Sequence, residues 1–185
     1  IKALVDEGKY FTINRARQYG KTTTLLALKK MLEKEYDVIL MDFQTFGSAD
    51  FATENIFALS FANTFLRQFK KYVSGMEIPL KQAVEMLEKS VNGRAGYFTL
   101  KPLFEELGDI CEASEKPIVL MIDEVDNGFH YTTMPLLWKA LLTAAKANNT
   151  QVFVTSHNID SLRGLSKVLE EDDNARFRNL VAAHK

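Results

Sequence analysis

The chain has 185 residues, 46% of them hydrophobic and 25% charged, enough for one α/β domain with its own core. Its formal net charge of −1 gives no electrostatic argument for a nucleic-acid partner, since dedicated binders carry a basic surplus. A single cysteine, Cys111, excludes an internal disulfide and fits a reducing compartment, so a cytoplasmic location and a buried, unreactive thiol are expected.

No apolar run approaches the roughly 18 residues that a membrane span needs, and none of the basic-then-apolar layout of a signal peptide stands at Ile1 to Asp6. The absence of an initial Met and a core-type strand within the first ten residues suggest a fragment or excised domain. Residues 1–8 look like the end of a helix stopped at Gly8, and Tyr10 to Asn14 is a short β-prone run. Lys21 to Glu35 repeats Leu25, Leu26, Leu28, Met31 and Leu32 at helical spacing, and Asp37 to Phe43 reads as a strand buried on both faces. A polar loop leads to a Phe-rich helix, Ala52 to Val73, followed by helices at Leu80 to Val91 and Leu100 to Ser114. Pro117 to Ile122 is a second apolar strand, Met134 to Asn148 an amphipathic helix, Gln151 to Thr155 a strand and Ile159 to Leu169 a helix. The end, Arg176 to Ala183, fits an edge strand or a helix equally.

Alternating strands and helices predict a three-layer α/β fold with a mainly parallel sheet. The expected spatial order is 1-4-3-2, with room for a fifth edge strand beside the first. The chain is read as one domain over 1–185, and the stretch of about 52–114 as a helical insertion or cap.

Three constellations carry chemistry. Arg15-Ala16-Arg17-Gln18-Tyr19-Gly20-Lys21-Thr22-Thr23 stands between a strand and a helix, where a phosphate-binding loop offers backbone N–H groups and a helix N-terminus. Gly20 lets the backbone approach phosphates, Lys21 supplies charge to the β- and γ-phosphates, and Thr22 supplies an oxygen for Mg²⁺. The usual first glycine is Arg15 here; Arg15 and Arg17 fit phosphate contacts or ion pairs on the loop. The apolar strand ending in Asp123-Glu124 puts two carboxylates at the edge where open α/β sheets bind ligands. Asp123 would hold Mg²⁺ and Glu124 would orient and deprotonate water. Thr155-Ser156-His157-Asn158 follows another buried strand, and His157, or one of its three neighbours, is placed to reach a γ-phosphate. No His/Cys/carboxylate spacing suggests zinc, and His130 and His184 are left to loop or surface roles.

Residues 1–126 resemble a bacterial and archaeal AAA-like ATPase group. The resemblance rests on the RxRQxGKT form of Walker A at Arg15 to Thr22, on Asp42-Phe43 and on the DExD motif at Asp123 to Asp126. From about Ile122 onward the chain is similar to ABC-type ATPases of the overcoming-lysogenization-defect group, through Asp126-Asn127-Gly128-Phe129-His130, Leu137-Trp138-Lys139-Ala140-Leu141 and Gln151 to His157. That likeness implies a switch histidine at His157 and a loop reaching across a dimer at Asp126 to His130. The signature motif of that second family is absent from Leu107 to Lys116, which leaves its head-to-head ATP sandwich without a usual partner. Two resemblances meeting in one shared motif are what a mosaic or designed chain shows.

The expectation is an ATP-binding P-loop domain with Mg-dependent hydrolysis, ATP as ligand and a homo-oligomer through the nucleotide site as a candidate assembly. A nucleotide-binding switch with negligible turnover and a folded domain without activity are the alternatives. Arg163, Arg176 and Arg178 are the arginines considered for a trans-acting finger, a solvated surface role being the simpler reading of each.

Overall fold

The computed structural model describes residues 10–14, 20–72, 77–93, 97–148, 150–171 and 181–184. Five strands form one sheet: β1 (Tyr10–Asn14), β2 (Asp37–Asp42), β3 (Ile118–Asp123), β4 (Gln151–Ser156) and β5 (Val181–His184). They lie in the order β2-β3-β4-β1-β5, and each neighbouring pair is parallel. The 1-4-3-2 order expected from the sequence is observed, and the ambiguous C-terminal run supplies β5 on the far side of β1.

Among the described residues six α-helices accompany them: α1 (Lys21–Leu32), α2 (Glu54–Phe69), α3 (Ile78–Gly93), α4 (Leu100–Ala113), α5 (Met134–Ala147) and α6 (Ile159–Glu170). Parallel neighbours need crossovers, and the apolar side chains of β2, β3 and β4 are covered on both faces. Along β3 the period of two is plain: Val119 and Met121 pack with Leu25, Leu28 and Leu32 of α1, while Ile118, Leu120 and Ile122 join the opposite cluster. That second, larger cluster takes in α2 to α6, giving the three layers.

The expected helix over 52–73 is a shorter α-helix flanked by 3-10 turns at Ser48–Phe51 and Lys70–Tyr72. Thr53 caps α2 by accepting a hydrogen bond from the Ile56 N–H at 3.2 Å, which places the start of the helix two residues later than the apolar pattern does. Phe43, expected to end β2, instead opens a 3-10 turn, with the Asp42 carboxylate accepting from the Gln44 N–H at 2.9 Å. Phe43 is fully buried among the rings of Phe46, Phe51, Phe57, Phe61 and Phe129, with centroids 5.1–6.5 Å apart. This aromatic cluster fastens the helices of 54–113 to the C-terminal edge of β2 and to the loop after β3. Trp138 does the same for α5 and α6, donating its indole N–H to the Ser161 carbonyl at 2.8 Å.

Cys111 is half-buried and within 3.2 Å of the Thr150 hydroxyl. Burial pushes its thiol above the ordinary range, the Thr150 contact opposing, which fits the unreactive role expected of it.

Candidate functional site

The strand register aligns the reacting candidates at one edge. Asp42 pairs with Asp123 at the ends of β2 and β3, and Asn14 pairs with Ser156 at the ends of β1 and β4. The C-terminal ends of all four strands therefore face the start of α1, which follows β1 in the chain.

Gly20 caps α1 in the left-handed region, with φ 71° and ψ 26°, a conformation glycine adopts without the penalty of a side chain. Its carbonyl accepts from the Thr24 N–H at 2.9 Å and from the Thr24 hydroxyl at 2.8 Å, closing the first turn. That turn holds Lys21, Thr22 and Thr23 and no acidic residue, so the positive end of the helix is uncompensated by its own side chains. Arg15, Ala16, Arg17, Gln18 and Tyr19 lie outside the described residues, as do Arg176 and Arg178.

Asp123 is almost fully buried, and both its oxygens accept hydroxyl hydrogen bonds. Thr22 Oγ1 donates to Oδ2 at 2.5 Å, and Thr155 Oγ1 donates to Oδ1. Thr155 Oγ1 in turn accepts from the Glu124 N–H at 2.9 Å. No cationic side chain among the described residues pairs with Asp123, so a buried carboxylate stands with hydroxyls as its partners. Hydroxyl and carboxylate oxygens are the hard donors Mg²⁺ prefers, and Mg²⁺ is usually held by one or two such groups together with phosphates and water. Thr22 and Asp123 fit that demand. Among the described residues no group of three or more His, Cys, Asp or Glu is arranged to hold a metal alone.

Glu124 is a non-glycine residue in the left-handed region, at φ 55°. Such a conformation costs about 1–3 kcal/mol and persists only where neighbours over-determine it. Here the hydrogen bond to Thr155, the Val125 N–H on the Thr155 carbonyl at 3.1 Å and the Asn127 N–H on the Glu124 carbonyl at 2.9 Å hold the turn. The turn keeps the Glu124 side chain at the sheet edge. One oxygen stands 3.8 Å from Lys21 Nζ, and the other lies 3.0 Å from His157 Nδ1. His157 Nδ1 also lies 3.3 Å from Asp126 Oδ2. Lys21, Asp123, Glu124 and Asp126 are all buried, an unusual density of ionisable groups outside a functional site.

Further along the loop, Asn127 donates its side-chain amide to the Phe43 carbonyl at 2.7 Å, tying the turn to the aromatic cluster. Gly128 is left-handed at φ 79°, and an added Cβ would stand 2.3 Å from the Phe51 ring. Gly128→Ala is expected to combine left-handed strain with overpacking and cost about 2–5 kcal/mol. Denaturant unfolding checks this; a change below about 1 kcal/mol would show the loop free to move away from Phe51.

Asp42 belongs to the Asp42-Phe43 strand end that carries part of the family resemblance. Burial pushes its carboxyl above the ordinary value, the Gln44 N–H opposes this, and Asp123 and Glu124 push it further up. A carboxyl raised in the folded state binds more protons there than in the unfolded chain, so its stability contribution is lost as pH rises from the ordinary value of 3.8 through the folded value. At about pH 7 the ionised Asp42 therefore carries its full penalty. Without Mg²⁺, Asp42→Asn should raise the melting temperature near pH 7, and the gain should shrink towards about pH 3. A lower melting temperature at neutral pH would contradict the assignment.

The structure thus brings together Lys21, Thr22, Asp123, Glu124 and His157 from three constellations far apart in the sequence. Thr155 of the third constellation and Asp42 and Asp126 of the family motifs stand with them. Thr155 was weighed for a phosphate contact and instead supports Asp123 and Glu124. Asn158 caps α6 through the Asp160 N–H at 2.9 Å, and Ser156 is buried beside it. His130 is exposed with Nδ1 2.9 Å from the Thr132 hydroxyl, and Arg163 pairs with Asp160 at 3.0 Å on the surface.

No family model matches the chain. Over 123 residues, 64% of its length, it is 25% identical to a Helicobacter pylori (strain ATCC 700392 / 26695) protein named ATP/GTP phosphatase, and it spans 33% of that relative. Among solved structures it is similar to Drosophila ORC bound to AT-rich DNA and Cdc6, with TM-score 0.52 and 11% identity, over 100% of this chain and 50% of that one. It is similar also to Drosophila ORC bound to DNA, with TM-score 0.53 and 11% identity, over 100% of this chain and 83% of that one. At such identities the likeness is one of fold: the chain has the three-layer α/β fold of P-loop NTPases, with a parallel sheet.

Proposed function

We propose that this chain binds a nucleoside triphosphate, ATP in the first instance, together with Mg²⁺ at the junction of α1 and the C-terminal edge of β3, and hydrolyses its terminal phosphoanhydride. One observation carries the reading: the hydroxyl–carboxylate pair Thr22–Asp123, the buried Lys21 and the turn-held Glu124 converge on one helix N-terminus. The relative named ATP/GTP phosphatase agrees with it, and the chain's coverage of a third of that protein leaves the activity of the whole for experiment.

In this reading Gly20 and the first turn of α1 receive the phosphates. Lys21 leaves Glu124 for the phosphate oxygens, where its charge counts more as negative charge shifts during transfer. Thr22 and Asp123 would hold Mg²⁺, which when bound neutralises phosphate charge as a Lewis acid. Glu124, released by Lys21, accepts the proton of the attacking water, and His157 reaches the terminal phosphate. The single domain over 1–185, with the helices of 54–113 as its cap, and assembly through the nucleotide site belong to the same proposal.

The test is phosphate release from Mg-ATP and Mg-GTP, run over a range of protein concentrations. Mg-dependent release supports the reading, and specific activity that rises with concentration adds assembly. Saturable Mg-ATP binding without release would leave a nucleotide switch in place of an enzyme.

A further inference from the structure

Asp126 has no place in the scheme above, yet its environment sets it apart. Its side chain is buried at 3% exposure, Oδ2 lies 3.3 Å from His157 Nδ1, and Oδ1 is buried with no hydrogen-bond partner. A buried carboxylate oxygen without a partner is costly. The same His157 nitrogen is 3.0 Å from Glu124 Oε2. Two buried acceptors thus compete for one ring N–H. Both require Nδ1 to carry the proton, which leaves Nε2, on the opposite side of the ring, as the nitrogen open to another partner. No hydrogen bond to Nε2 is made among the described residues.

Resting on the hydrolytic reading, we infer that Asp126 is a positioning residue that acts through His157 on Glu124. Two acceptors within reach of one donor allow a hand-off. While His157 donates to Glu124, the carboxylate that should take a proton from water is occupied. When His157 swings its Nδ1–H to Asp126, Glu124 Oε2 is freed and the ring keeps one orientation, with Nε2 still outward. No bond breaks in this step beyond a hydrogen bond, and the proton stays on Nδ1. The backbone makes the geometry available: the Asn127 N–H on the Glu124 carbonyl and the Asn127 amide on Phe43 fix the turn between the two acids. Without Asp126 the N–H has Glu124 alone, and the catalytic carboxylate stays capped.

Two measurements on the whole chain test this. The first is steady-state phosphate release by wild type, Asp126→Ala, His157→Ala and the double variant. Asp126→Ala is expected to lower kcat by about 10–100-fold, the range seen when residues that orient a functional histidine are lost, with KM for ATP changed by less than about twofold. In the His157→Ala background the same substitution should cost nothing further, since its route is gone. An equal loss in both backgrounds, or a loss confined to KM, overturns the inference. Asp126→Leu, which keeps much of the volume and offers no acceptor, serves where the alanine variant does not fold, with the same expectation.

The second is nitrogen NMR of the histidine rings, with the His157 signals identified by their absence from His157→Ala. Asp126→Ala should shift the Nδ1 resonance of His157 and leave that of His130 in place. An unmoved Nδ1 resonance overturns the role of Asp126 whatever the rates show. A wild-type protein without phosphate release defeats the hydrolytic reading, and the ring resonance still decides whether Asp126 holds His157.

Discussion

Glu124→Gln is expected to lower the rate of phosphate release by about 10²–10⁴-fold, the contribution of a positioned general base. Nucleotide affinity should hold or rise, because the substitution removes a negative charge beside the phosphate site. The variant keeps the shape of the side chain, and the Glu124 N–H still donates to Thr155, so the left-handed turn survives. The amide can still accept from His157 Nδ1, 3.0 Å away in the native protein, but it cannot take a proton from water. A filter assay with labelled ATP should recover unhydrolysed nucleotide on the variant and diphosphate on the wild type. Equal rates in the two proteins would remove Glu124 from the chemistry.

Lys21→Ala carries the second large effect, on binding rather than on turnover. Hydrogen bonds to charged groups contribute about 1.5–3 kcal/mol each, so affinity for Mg-ATP should fall about 10–100-fold or more. Lys21 is buried and stands 3.8 Å from Glu124, so the change also strips a buried carboxylate of its cation. Some loss of stability is therefore expected alongside the loss of binding, and His157 remains as the partner that limits it. Lys21→Arg separates the two effects: it restores charge near Glu124 but not the compact ammonium the phosphates need. Unchanged affinity in Lys21→Ala would mean that α1 does not begin at a phosphate site.

Much of this arrangement was legible in the sequence because its signals are local. Val38 to Met41 and Pro117 to Ile122 are apolar throughout, as strands covered on both faces must be, and Val152 to Val154 is alike. With a phosphate-type loop after the first strand and two acids after the third, the order of strands and the converging edge followed. The order in space is as expected, and β5 resolves a segment whose pattern suited helix and strand equally.

What the sequence left out is long-range. The pairing of Thr155 with Asp123 joins residues 32 positions apart, and no periodicity marks a threonine whose hydroxyl supports two acids at once. Asp42 sits beside Asp123 only through the parallel register of β2 and β3. Asp126 looked like part of a motif, and its burial depends on the Glu124 turn, which nothing in the letters announces. The helix expected over 52–73 overran at both ends, beyond the phenylalanine spacing of Phe57 to Phe69, where Thr53 and the 3-10 turn of Lys70–Tyr72 bound it. Capping and tertiary contact outweighed the pattern there.

The most direct test of the central claim is a calorimetric titration of the chain with ATP, with and without Mg²⁺, on wild type and Lys21→Ala in parallel. The account predicts saturable binding of one nucleotide per chain that tightens with Mg²⁺ and weakens at least about tenfold in the variant. Wild-type binding that is absent, or that neither Mg²⁺ nor Lys21 affects, would contradict it.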